Sequence, residues 1–140
     1  MAEGKYAKLI KTEPFGISSH PDKVTSPMIR YDGKEASNAN FTYSVSYITQ
    51  PLLMIKEPHK HDFDQFVCFI GGDPGNFKDF DAEIELYLEG EKYVITKTST
   101  VYLPKGLVHG PLFHKVVNKP YIFLDMAITG NYVKIPAPKK

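Results

Sequence analysis

The chain has 140 residues, of which 42% are hydrophobic and 24% charged, and a formal net charge of +1. That length makes one domain able to bury a core without staples, and the balanced charge excludes a nucleic-acid footprint or a strong membrane-surface field. One cysteine excludes an intrachain disulfide and a thiolate zinc cluster. Charges interrupt MAEGKYAKLIKTEP where a signal peptide needs an apolar core, and no run reaches transmembrane length. The expectation is a soluble, cytoplasmic protein.

Residues 1–40 read as an N-terminal arm. Tyr6 to Ile10 suits a short strand, and Pro14, Gly16, Pro21 and Pro27 punctuate a loop that carries His20 as an exposed histidine. From Phe41 the pattern changes. Phe41, Tyr43, Val45 and Tyr47 alternate with Thr42, Ser44 and Ser46, the signature of a half-buried strand. Leu52 to Ile55 is a second, shorter apolar run.

The next stretch, EPHKHDFDQFVCFIGG over residues 57–72, combines chemistry with a dense apolar run. In extended backbone, residues 59, 61, 63 and 65 share one face. His59, His61 and Gln65 then converge, while Lys60, Asp62 and Asp64 turn away. Two imidazoles and an amide oxygen aimed at one point suit a divalent metal. The run from Gln65 to Ile70 is apolar on both faces. Val67 and Phe69 follow the Gln65 side, whereas Phe66, Cys68 and Ile70 face outward and need cover. That need predicts a homodimer, unless the arm covers the face.

Residues 71–81 form a Gly/Pro/Asn/Asp loop. Ala82 to Leu88 alternates, and Glu89-Gly90-Glu91 turns it back as a hairpin. Pro104 and Gly106 make a turn ahead of His109. Tyr121 to Ile128 is the last strong strand and contains Asp125, an acid in an apolar run whose burial would suit proton transfer. His114, of opposite parity to His109, is expected outside, and residues 131–140 read as a frayed C-terminal tail. Evenly spaced strands without a long amphipathic helix argue for an all-β barrel or jelly roll.

Two spacings go further. His59-x-His61, three residues, Gln65, six residues, Gly72 resembles the first motif of the cupin superfamily, and Pro104-x-Gly106, two residues, His109 resembles the centre of the second. The chain departs from the pattern at Leu53 and Thr98, which replace glycines, at Phe113, which replaces an asparagine, and at Gln65, which replaces a glutamate ligand. The resemblance implies a small single-domain barrel of the double-stranded β-helix type over residues 41–130. It also implies that His59, His61, Gln65 and His109 hold one divalent metal ion (iron, manganese, nickel, zinc or copper).

Phe63, Val67, Phe69 and Phe113 are expected to line an apolar, aromatic pocket, with Asp125 as the candidate catalytic group. The function implied is a metal-dependent enzyme acting on a small oxygen-bearing molecule such as a carboxylate, enol or phenolate: a dioxygenase, isomerase or decarboxylase. The alternative is a non-catalytic cupin in which the metal anchors the small-molecule ligand. By charge alone, Gln65→Glu is expected to tighten divalent binding.

Overall fold

Almost every alternating run finds an antiparallel partner, and the partners sort into two sheets. The computed structural model describes residues 4–137. Its strands are β1 (Phe15–Gly16), β2 (Met28–Asp32), β3 (Thr42–Ile48), β4 (Leu52–Ile55), β5 (His59–Lys60), β6 (Gln65–Gly71), β7 (Ala82–Leu88), β8 (Glu91–Ile95), β9 (Ser99–Leu103), β10 (His109–Val117), β11 (Tyr121–Ala127) and β12 (Ile135–Pro136). One short helix, α1 (Gly33–Ser37), and a 3₁₀ turn at Ala7–Leu9 complete the secondary structure among the described residues. The first sheet runs β1-β2-β3-β11-β6-β9; the second runs β12-β5-β10-β7-β8, with β4 also paired to β10. The two sheets make a jelly-roll barrel, as the all-β reading expects. Among the described residues no helix is long and apolar enough to cross a membrane.

The segments at both ends of the described chain are built in. β2 pairs with β3 and β1 with β2, so residues before Phe41 extend the first sheet. At the other end β12 pairs with β5 through Ile135↔Lys60 and Pro136↔His59. The frayed end read from the prolines therefore does not hold for residues 131–137, while residues 138–140 lie outside the described part. Pro136 sits on a sheet edge, where its missing N–H costs nothing.

The inner surface is apolar at one end and polar at the other. Ile48, Phe69, Ile84, Leu112 and Tyr121 are fully buried at the packed end. Register places Arg30, Ser44, Asp125 and Val67 in one row across the inner face of the first sheet, beside a row of Asp32, Thr42, Ala127 and Gln65. The alternation of β3 is thus turned inside out relative to an ordinary half-buried strand. Thr42 and Ser46 are buried, and Tyr47 is 40% exposed. The aromatic side of β3 belongs to an outer surface instead. There Tyr31, Tyr43, Met126, Phe66 and Tyr102 form one cross-strand row, and Ile29, Val45, Leu124 and Cys68 form the next. Tyr31 stacks on Tyr43 and Phe66 on Tyr102.

The outer face of the second sheet is charged. Lys115 bridges Glu83 and Glu85 at 3.7 and 3.4 Å, and Lys92 reaches Glu85 at 3.6 Å. Sheet faces of opposite character make one side of the barrel solvated and leave the other in need of cover.

β10 overturns a parity expectation. Its pairing shifts register between His109 and Leu112, a β-bulge that moves the inward set by one residue. His114, expected outside, is fully buried, and its Nδ1 pairs with the Tyr121 hydroxyl. Phe69 and Phe123 pack around it. Burial lowers its pKa from 6.5 to about 3.

Because the folded pKa lies below the unfolded one, His114 contributes its stability in full above pH 6.5, and that contribution is lost as pH falls toward the folded value. Urea unfolding followed from about pH 7 down to about pH 4 is expected to lose stability through this group at up to ~1.4 kcal/mol per pH unit. His114→Phe should flatten that slope even though it removes the Tyr121 contact. An unchanged slope would mean that His114 protonates inside the fold.

Candidate functional site

Strand pairing brings the two histidine-bearing segments together. His59 on β5 lies directly opposite His109 on β10. His61 follows on the connection that carries the chain from the second sheet to β6 in the first. Gly106, at φ +86°, closes the turn before His109, and its N–H donates to the His61 carbonyl at 2.9 Å. Asp64, facing away from the histidines, accepts from the Lys105 N–H and the Tyr102 hydroxyl, both at 3.0 Å. One link therefore joins the two motifs on each side of the connection.

The three imidazoles form a compact cluster. Ring centroids lie 4.5 Å apart for His59–His109, 4.8 Å for His59–His61 and 5.1 Å for His61–His109. One ring nitrogen from each falls within 4.8 Å of the others. All three residues are buried. Each Nδ1 lies against a backbone carbonyl: Glu57 for His59 at 3.4 Å, Val133 for His61 at 2.6 Å and Leu107 for His109 at 3.1 Å. Nδ1–H donation to those carbonyls leaves each Nε2 as a lone-pair acceptor. The Nε2 atoms of His59 and His109 are buried without any hydrogen-bond partner among the described residues.

Gln65 adds a fourth acceptor. Its Nε2 donates to Asp125 Oδ1 at 2.7 Å and to the Tyr132 hydroxyl at 3.3 Å. A carboxylate only accepts, so Asp125 dictates which end of the amide faces it. Gln65 Oε1 is left buried and unpartnered, like the two imidazole nitrogens. The Tyr132 hydroxyl also meets His61 Nε2 at 3.3 Å. Buried acceptors without donors are costly, and a cluster of neutral N and O acceptors is what a divalent cation satisfies.

A cavity of about 460 Å³ opens beside the cluster. Val67, Leu112 and Phe123 form an apolar wall; Ser44, Ser46 and Asp125 form a polar one; Arg30 and Lys134 bring positive charge. The volume suits a small organic ligand.

Among solved structures, the chain is similar to an RmlC-like cupin from Shewanella frigidimarina, covering 84% of this chain and 86% of that one, with a TM-score of 0.51 and 14% identity. It is similar also to the polyketide cyclase RemF from Streptomyces resistomycificus, covering 94% and 79%, with a TM-score of 0.53 and 11% identity. The chain has the cupin fold. No family model matches the sequence, and no curated protein matches it. At these identities the likeness speaks for the barrel and not for a reaction.

Within the cupin barrel the residues singled out from sequence separate. His59, His61 and His109 come together, with Gln65 bonded to Asp125. Val67 lies on the cavity wall. Phe63 stacks on His61 with centroids 4.6 Å apart, behind the cluster. Phe69 packs into the core against Phe123 at 5.4 Å. Phe113 is a correction: the β10 bulge turns it opposite Leu53 and Glu85, toward the charged outer face, and Leu112 takes its place on the wall. His20 is corrected too, because it is half-buried and lines the cavity instead of standing exposed. Tyr132, Lys134 and Arg30 went unnoticed in the sequence; each comes from a terminal segment with no motif.

Burial sets the electrostatics. Desolvation, reinforced by His109, lowers the His59 pKa to about 4, and desolvation also lowers those of His61 and His109. Burial raises Asp125 to about 6, opposed by the Gln65 hydrogen bond and by Lys134 and Arg30. Burial and the nearby Asp125 raise Tyr132. In metal-free protein, nitrogen-detected NMR should therefore find all three imidazoles neutral, with Nδ1 protonated, at about pH 7. A cationic imidazole in the cluster at that pH would contradict the assigned tautomers.

Proposed function

We propose that this cupin is a metal-dependent enzyme acting on a small oxygen-bearing organic molecule. One observation carries the reading: the unpartnered Nε2 atoms of His59 and His109 and the Oε1 of Gln65 are buried around the third histidine. His59, His61 and His109 would hold one divalent ion, with Gln65 as a fourth ligand and Tyr132 yielding its contact to His61. Imidazole and amide donors suit iron(II), manganese, nickel, zinc or copper. When bound, such an ion acts as a Lewis acid on an oxygen of the ligand.

The residues of the chain do the rest. Nδ1 contacts to backbone carbonyls keep the three rings aimed. The Val67–Leu112–Phe123 wall excludes water from the apolar part of a ligand. Asp125 uses Oδ1 to hold Gln65, and its Oδ2 accepts no hydrogen bond among the described residues. With a pKa near 6, that oxygen is poised to take and return a proton. Isomerisation and decarboxylation call for such a group, which favours an enzyme over a binding protein that uses the same metal as an anchor.

Metal analysis of protein purified without chelators is expected to find about one ion per chain, with His59→Ala and His109→Ala each abolishing the stabilisation it provides. The Gln65→Glu expectation changes with the structure. A glutamate there sets a second carboxylate against Asp125, so the single variant is expected to bind metal no tighter and to fold less stably. The exchange Gln65→Glu with Asp125→Asn should restore affinity at least to the original. Asp125→Ala, which frees the amide to rotate, should weaken binding by roughly tenfold. A tighter site in Gln65→Glu alone would show that Asp125 does not set the amide.

The same barrel is proposed to be a homodimer, paired through the outer face of its first sheet. The two rows of that face carry no charge, so they offer nothing to a charged partner but match a second copy of themselves. Five strands at about 4.8 Å by some 20 Å of strand give roughly 500 Å² per copy, or about 1,000 Å² for a pair, which reaches the threshold of a biological interface and not the size of an obligate one. Light scattering at micromolar concentration should give the dimer mass, and Leu124→Lys the monomer mass. A monomer in the unaltered protein rejects the interface.

A further inference from the structure

Two successive residues of the C-terminal segment reach the same imidazole. Val133 offers its carbonyl to His61 Nδ1 at 2.6 Å, and Tyr132 brings its hydroxyl to the other nitrogen of that ring, Nε2, at 3.3 Å. A carbonyl only accepts, so Nδ1 carries the hydrogen and Nε2 is left as an acceptor. Tyr132 therefore donates its O–H to His61. The oxygen of the hydroxyl is engaged from the other side, because Gln65 Nε2 donates to it at 3.3 Å. The second hydrogen of that amide goes to Asp125 Oδ1 at 2.7 Å. Along the series Asp125–Gln65–Tyr132 the one free variable is the direction of the phenol O–H.

The ring that carries this hydroxyl is held independently of it. Its centroid lies 4.8 Å from that of His61 and 5.5 Å from that of Phe63. Three residues further on, β12 is paired to β5. Tyr132 is half-buried and lines the cavity, and no third hydrogen bond reaches its hydroxyl among the described residues. A divalent ion and this O–H compete for one lone pair, that of His61 Nε2. An ion that takes it leaves a partly buried donor without an acceptor, which is costly unless another acceptor comes within reach.

We propose that Tyr132 is the hydrogen-bond donor of the ligand site, its O–H turning from His61 to an oxygen of the organic ligand. The proposal rests on the metal reading above and deepens it by assigning the residue that selects the ligand's oxygen. A phenol is neutral at about pH 7, so Tyr132 contributes a directed donor and no charge. It complements Asp125, which can accept through Oδ2, and both are positioned by the amide of Gln65. A carbonyl, enolate or phenolate oxygen has a lone pair for this O–H. A ligand that meets the ion through a nitrogen with no further lone pair has none.

The test takes cobalt(II) as the ion, acetohydroxamate as a probe that binds through oxygen, and imidazole as a probe with no lone pair left once bound. The full chain and Tyr132→Phe, which keeps the ring and loses only the hydroxyl, are titrated with cobalt against a competing chelator. Each probe is then added and followed by the visible absorption of the cobalt. Tyr132→Phe should bind cobalt roughly three- to tenfold more tightly, because nothing competes for His61 Nε2. It should bind acetohydroxamate roughly tenfold more weakly, and imidazole within about twofold of the unaltered protein. A purely structural role for Tyr132 would weaken metal and probes together, so the opposite signs are diagnostic. Weaker or unchanged cobalt binding overturns the proposal, as does an acetohydroxamate affinity that does not fall or an equal loss for imidazole. A cobalt spectrum already altered before any probe is added would make Tyr132 a metal ligand and also overturns it. The two readings fail separately: no cobalt uptake by the unaltered chain rejects the metal site and this role with it, whereas uptake with unmoved constants in Tyr132→Phe rejects the role alone.

Discussion

The pairing of His59 with His109 is the contact on which the rest of the site depends. It joins two strands that are far apart in sequence, and it places two imidazoles side by side with their Nε2 atoms turned inward. His61 then falls next to them, because the chain leaves the second sheet at that point and enters the first at Gln65. The crossover itself is held by Gly106 against the His61 carbonyl and by Asp64 against Lys105. Each imidazole is keyed at Nδ1 by a carbonyl, one of them from the C-terminal segment at Val133. The site is thus a property of the meeting of three segments, and removing any one would free a ring.

A second constraint comes from the amide. Where a carboxylate at position 65 would supply both charge and ligand, the chain places a neutral glutamine and puts the carboxylate behind it, at Asp125. The two groups are coupled by a 2.7 Å hydrogen bond. The amide thereby has only one orientation, and its oxygen joins the imidazole nitrogens as an unpartnered acceptor. Asp125 keeps a second oxygen for the cavity, so one residue both positions Gln65 and offers a proton acceptor.

The two sheets divide the remaining work. The second carries ion pairs on its outer face and supplies His59 and His109 on its inner one. The first carries an apolar outer face and a polar strip inside, along β2, β3 and β11. A strand with serines facing a cavity and tyrosines facing outward is stable only if the cavity is wet or occupied and the outside is covered. Ligand binding within and self-association without answer those two demands.

The sequence by itself determined the strands, the all-β architecture and the histidine set, because period-two alternation and the spacing of two short motifs are local properties that survive in one dimension. Parity placed Asp64 away from the cluster and Val67 on the cavity side, since both sit within or beside an unbroken strand. What only the tertiary structure decided lies where locality fails. A bulge in β10 at Gly110-Pro111 exchanged the roles of Phe113, Leu112 and His114, because one inserted residue reverses the side chains that follow it, and the glycine and proline mark a break without saying how far the register moves. The polarity of β3 could not be oriented, since alternation shows two faces without saying which is inside. Arg30, Tyr132 and Lys134 carry no motif and reach the cavity only because the segments carrying β1, β2 and β12 fold back onto the sheets. Long-range pairing, which depends on the whole chain, chose their neighbours.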